Sequence, residues 1–149
     1  MEALVTTERL ARELGASDLR VLDATYFLPE HGRDAVAEHE AAHIPGASFL
    51  DLATLADTAT TLPNMLPQAD RFAERMRLLG VGDADRIVLY DDSPLHSSAR
   101  AWWMLRTFGA REVAILDGGL ARWRAEGRAT ASGREGARPG DFTARPALA

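Results

Sequence analysis

The 149-residue chain has no cysteine and no lysine, and no apolar run that approaches the length of a membrane-spanning helix. Without cysteine there are no disulfides, no thiolate-bound metals and no thiol nucleophile. Without lysine, all 17 basic residues are arginine. A bias spread over the whole chain reads as codon usage in a GC-rich genome. It marks no single site, although guanidinium groups suit bidentate anion contacts. A membrane span needs roughly 18 or more apolar residues, and the opening MEALVTTERLARELG does not resemble a signal peptide. The expectation is a cytoplasmic protein with no membrane partner. The net charge is −5, which argues against nucleic acid as a partner, because a clustered basic face would be needed.

The composition that remains is ordinary for a globular protein: 46% apolar and 26% charged residues. A chain of this length buries roughly two-thirds of its unfolded surface, so one domain with a full core is expected. No internal repeat is present. Thr6 precedes a helical stretch that Gly15 ends. Leu19 to Ala24 is a short buried strand. GRDAVAEHEAAH (32–43) reads as a polar helix, HIPGA (43–47) as a turn and Ser48 to Leu50 as a strand. TATTLPNMLP (58–67) reads as a loop. Ala69 to Gly80 has helical spacing, with Phe72, Met76 and Leu79 on one face. Ile87 to Tyr90 and Glu112 to Leu116 are strands. His96 to Phe108 and Leu120 to Glu126 are helices. Beyond Gly127 apolar residues thin out, so 134–149 reads as a linker or tail and 1–133 as the domain. Alternating short strands and helices imply a parallel sheet covered on both faces. Right-handed crossovers then gather the strand-to-helix turns at one sheet edge, where such folds bind ligands.

LYDDSPLHSSAR (89–100) is one of those turns. It runs from a strand into a helix N-terminus, which attracts anions. Its own carboxylates, Asp91 and Asp92, stand where a nucleophile or a bound anion would. Asp92 is positioned to take the amide bonds an outside anion would use, and Pro94 removes one donor. Several readings stay open. Asp91 and Asp92 serve as a helix cap and a turn, or as an acid–base pair. His96 with Ser93, Ser97 or Ser98 forms a Ser/His pair, although hydroxyls in a first helical turn usually cap. Asp91, Asp92 and His96 hold a metal, although the spacing fits no strong ligand pattern, and no metal or other cofactor is expected. His43 is expected to hold backbone carbonyls, and His31 and His39 to be solvated. Trp102, Trp103 and Trp123 are expected in the core or at a domain interface. Arg100 is expected to pair with Asp23 or Asp117.

Four stretches in this order and spacing carry a resemblance: VLDATYFL (21–28), EAAHIPGASFLDL (40–52), IVLYDDSPLHSSARAWWMLRTFG (87–109) and VAILDGGLARWRAEG (113–127). Over residues 4 to about 145 the chain resembles the rhodanese-like family. More narrowly, it looks like the amino-terminal domain of two-domain thiosulfate or 3-mercaptopyruvate sulfurtransferases. The resemblance implies a three-layer α/β/α fold with a central, mostly parallel sheet of about five strands. It also implies a partner, a catalytic rhodanese domain in cis or trans, and an exposed domain face that could drive homodimerisation. In the family's catalytic domain a cysteine at the start of the loop carries sulfur as a persulfide. The matching position here is Asp92, so no catalytic residue is expected. Asn64, in NMLP, stands where mercaptopyruvate enzymes often place a histidine facing the cleft. Cleft or anion contacts are expected from Asp91, Ser93, His96, Ser97, Arg100 and Asn64. DFTARP (141–146) resembles the start of the family's interdomain linker. The alternatives are a stand-alone inactive module that binds a protein or small anion, and an Asp/His-dependent hydrolase.

Overall fold

The computed structural model describes residues 3–27, 29–55, 69–92, 97–133, 140 and 142. In chain order the elements are β1 (Leu4–Val5), α1 (Thr7–Glu13), β2 (Leu19–Asp23), a 3-10 turn (Pro29–His31), α2 (Ala35–Ala41), β3 (Ser48–Phe49), α3 (Leu52–Leu55), α4 (Ala69–Leu78), β4 (Arg86–Tyr90), α5 (Ser98–Thr107), β5 (Glu112–Leu116) and α6 (Gly119–Ala125). The five strands form one sheet in the order β1-β5-β4-β2-β3, and every neighbouring pair is parallel.

Side chains alternate across the strands, and each set meets its own helical layer. Ile87 and Leu89 of β4, Val113 of β5 and Leu22 of β2 face a core built with Phe72 and Met76 of α4 and Met104 and Leu105 of α5. Val88 and Tyr90, Ala114 and Leu116, and Leu19 and Val21 face the opposite core. That core is completed by Leu10 of α1, Leu120 and Trp123 of α6, and Ile44. Burial on both faces is why the strands read as continuous apolar runs. The expected three-layer α/β/α fold is what the chain adopts.

Helix starts follow the side chains that satisfy free amides. Thr6 Oγ1 accepts from the Arg9 N–H at 3.1 Å, and Asp34 Oδ1 from the Ala37 N–H at 3.1 Å. The second helix therefore starts later than its sequence pattern suggests. Gly32 lies at φ +65°, outside the helical region. Three elements went unanticipated: the 3-10 turn, α3 and the edge strand β1. A two-residue strand has no periodicity to read, and β1 exists through its pairing with β5.

One difference concerns the 134–149 segment. Phe142 is 2% exposed and belongs to the first core, with ring centroids 5.9 Å from Phe72. Its N–H donates to the Val81 carbonyl, and the Gly140 N–H to that of Arg77. A lone aromatic among Gly, Pro and Arg carried no pattern that would mark it as core. The carboxyl ends of β2 and β4 lie side by side, Asp23 opposite Tyr90, and the candidate site lies there.

Candidate functional site

The turn after β4 is tied down at its first residue. Asp91 is 9% exposed. Its Oδ2 accepts from the Ser98 N–H at 2.8 Å and the Ser98 hydroxyl at 2.6 Å. Its backbone carbonyl accepts from the Leu120 N–H at 3.1 Å. One residue thus holds the N-terminus of α5 through its side chain and that of α6 through its main chain. An anionic acceptor at a helix N-terminus meets both the free amide and the helix dipole.

Asp92 behaves differently. It is half-buried, and its Oδ2 lies 3.3 Å from Arg33 Nη2. Arg33 also reaches Glu38 through Nε at 2.9 Å and Nη2 at 2.6 Å. The hydrogen bond to Glu38, then the charges of Glu38 and Asp92, hold this guanidinium above its usual basicity. The Asp92 N–H donates to Thr25 Oγ1 at 3.1 Å. The Thr25 hydroxyl and amide both donate to Asp23 Oδ1. Asp23 Oδ2 is 2.8 Å from His39 Nδ1. The loop that opens at Asp92 is therefore anchored to a buried polar chain running to α2. His43, fully buried, stacks on His39 with centroids 4.4 Å apart.

These contacts correct several expectations. His39 is 5% exposed and bonded to Asp23, not solvated. The helix delivers it inward to a carboxylate that sequence spacing did not connect to it. Arg100 does not pair with Asp23 or Asp117. Its guanidinium lies 5.0 Å from the Trp103 ring centroid, Asp23 is taken by His39, and Asp117 pairs with Arg122 at 3.3 Å. Ser97 stands at the N-cap of α5 without a capping bond. Its hydroxyl instead donates to the Ala24 carbonyl at 2.7 Å and accepts from the Tyr26 N–H at 3.0 Å, joining α5 to the end of β2. His43 does hold a carbonyl, with Nδ1 donating to His39 O at 3.0 Å. Trp123 is buried and Trp102 half-buried, but Trp103 is 44% exposed. Ser93, His96 and Asn64 lie outside the described residues.

Two hollows meet at the Arg33–Asp92 pair. One, of about 740 Å³, runs past Asp91, Ser98, Gly118 and Gly119 to Leu4 and Ile115. The other, of about 420 Å³, is lined by Asp23, Thr25, His39 and Arg124. Sequence reasoning did not single out Arg33 or Thr25, and it read His39 as solvated. The available signal was position: Asp23 and Thr25 close the strand beside β4, at the edge where the turns gather. Among the described residues no group of three or more His, Asp or Glu side chains is arranged to hold a metal ion.

Comparison with known proteins matches residues 6–126 to the model of the Rhodanese-like domain. The chain is 42% identical over 149 residues to human 3-mercaptopyruvate sulfurtransferase, covering 96% of this chain and 50% of that protein. It is 44% identical over 126 residues to the mitochondrial thiosulfate/3-mercaptopyruvate sulfurtransferase 1 of Arabidopsis thaliana, covering 85% of this chain and 33% of that protein. The crystal structure of SseA from Escherichia coli, described as a 3-mercaptopyruvate sulfotransferase, superposes with a TM-score of 0.93 at 37% identity. That match covers 99% of this chain and 56% of the other. The chain therefore spans half or less of the length of these two curated relatives.

Proposed function

This chain belongs to the rhodanese-like domain family, and from that premise we propose that it is a non-catalytic member of the sulfurtransferase fold. In this reading it supports a cysteine-bearing catalytic domain of a thiosulfate/3-mercaptopyruvate sulfurtransferase and walls one side of that domain's cleft. The observation that carries the reading is the state of Asp92. Persulfide chemistry needs a thiolate, and the chain has no cysteine. The position where the family resemblance expects one holds a carboxylate engaged by Arg33, on a backbone pinned to Thr25.

The test is direct. The purified chain, given thiosulfate or 3-mercaptopyruvate with cyanide or a thiol acceptor, should transfer no sulfur above a protein-free blank. Clear turnover would overturn the proposal. Adding a cysteine-bearing rhodanese domain should produce a complex detectable by light scattering. A complex with an unrelated protein and none with such a domain would favour the alternative reading, a stand-alone binding module. The hollow of about 740 Å³ beside Asp91 is the feature that supports that second reading.

A further inference from the structure

The hollow of about 420 Å³ contains a feature that the proposed function leaves without a role. His39 lines it, with a side chain only 4% exposed. Nδ1 is committed to Asp23 Oδ2, so the Nδ1–H tautomer is fixed when the ring is neutral and Nε2 carries the free lone pair. Among the described residues Nε2 has no hydrogen-bond partner. No buried side-chain polar atom is left unsatisfied there, so this nitrogen is not sealed from solvent, and His39 lines the hollow. The carboxylate behind the ring does what an orienting carboxylate does for a ligand-binding imidazole: it fixes the ring plane and the tautomer.

The charges around the ring come from four directions. Asp23 is at the end of β2, Glu38 on α2, Asp92 after β4, Arg33 before α2 and Arg124 on α6. Three carboxylates stand against two guanidiniums, leaving one negative charge when His39 is neutral and none when it is protonated. The titratable neighbour on the far side of the ring is His43, stacked at 4.4 Å. Arg33 is largely taken by Glu38 and Asp92. Arg124 lines the hollow, is exposed, and its side chain makes no hydrogen bond or ion pair with the described residues.

We propose that this hollow is a proton-linked binding site for a small carboxylate. The ligand's oxygens pair with Arg124 at the mouth and accept from the His39 Nε2–H at the floor. Binding takes up one proton onto Nε2, so anion and proton enter together and the net charge of the hollow does not change. No bond is made or broken in the ligand. A volume of about 420 Å³ falls in the range of small-molecule sites and admits a ligand of a few heavy atoms. The site borders the thiol position through Asp92, but its test does not require the chain to pair with a catalytic domain.

Acetate is a suitable probe because it stays ionised from pH 5.5 to 8. Titrated into the full chain and followed by the ring resonances of the four histidines, acetate should shift the His39 signals saturably. On the alkaline side of the titration, the apparent affinity should weaken about tenfold per pH unit, the slope for uptake of one proton. Arg124→Gln, at an exposed position, should weaken binding about tenfold without changing the folded spectrum. His39→Gln should remove the pH dependence. If that variant does not fold, the Arg124→Gln result and the wild-type slope still decide the matter. An affinity independent of pH, no shift at His39, or binding unaltered by Arg124→Gln would overturn the proposal.

Discussion

The carbonyl oxygen of Asp91 occupies the space a side chain at residue 119 would need: a Cβ built on Gly119 would stand 2.5 Å from it. The same oxygen accepts the Leu120 N–H, so the close approach is how the β4 turn and the start of α6 are held together. Gly119 also lies at φ +61°. Gly119→Ala therefore meets both a backbone clash and a left-handed conformation. It should cost about 2–4 kcal/mol, read as a lower urea midpoint. Gly118→Ala, also at positive φ and with a Cβ that would stand 2.5 Å from Arg122 Cβ, should destabilise as well. A Gly119→Ala variant as stable as the parent chain would show that the Asp91 contact is not the constraint.

The two adjacent aspartates should separate cleanly by mutation. Asp91→Ala strands the Ser98 amide and hydroxyl in a buried place and should cost about 2–3 kcal/mol. Asp92→Ala removes a half-exposed pair with Arg33 and should cost under about 1 kcal/mol. Denaturation of both variants checks this, and a larger loss at Asp92 would reverse the assignment of roles.

Asp92→Cys would give the chain its only thiol, placed beside a guanidinium that Glu38 continues to hold. A neighbouring cation favours the thiolate. Its titration, followed by thiolate absorbance, should have a midpoint below the ordinary value of about 8.5. Adding Arg33→Gln should move the midpoint back up. A midpoint at or above the ordinary value would show that Arg33 does not act on this position.

Acid stability should depend on Arg86, which bonds Glu13 and Asp18 across the end of the sheet. Its hydrogen bonds hold both carboxyls below their ordinary values of 4.5 and 3.8. Because the folded-state values are lowered, this stabilisation is fully present above about pH 4.5 and is lost as pH falls through the folded values. Arg86→Gln should flatten the acid limb of a stability–pH curve while leaving its shape near neutrality unchanged. An unaltered acid limb would remove the argument.

Phe142 lies within the first core against Phe72. Phe142→Ala should cost about 3–5 kcal/mol, measured by thermal or urea unfolding. A change near zero would return the residue to the tail that its sequence surroundings suggest.

The sequence by itself determined the layered architecture. Strands at 19–24, 87–90 and 112–116 are legible because both their faces are buried, so nearly every residue is apolar. The helices between them show their period and their caps. The absence of a thiol and the carboxylate at 92 were likewise plain in the chain, since identity alone settles what chemistry a side chain can offer. Tertiary structure decided the partners. Which of Asp91 and Asp92 caps α5, which carboxylate orients His39, where Arg33 and Arg100 point, and whether Phe142 packs all depend on distances between residues far apart in the chain. Phe142 and Phe72 are an example, and so are Asp23 and His39. Local pattern reports burial and period, because those follow from backbone geometry. A hydrogen bond between strand ends follows from how the sheet is ordered, and no local spacing encodes that order.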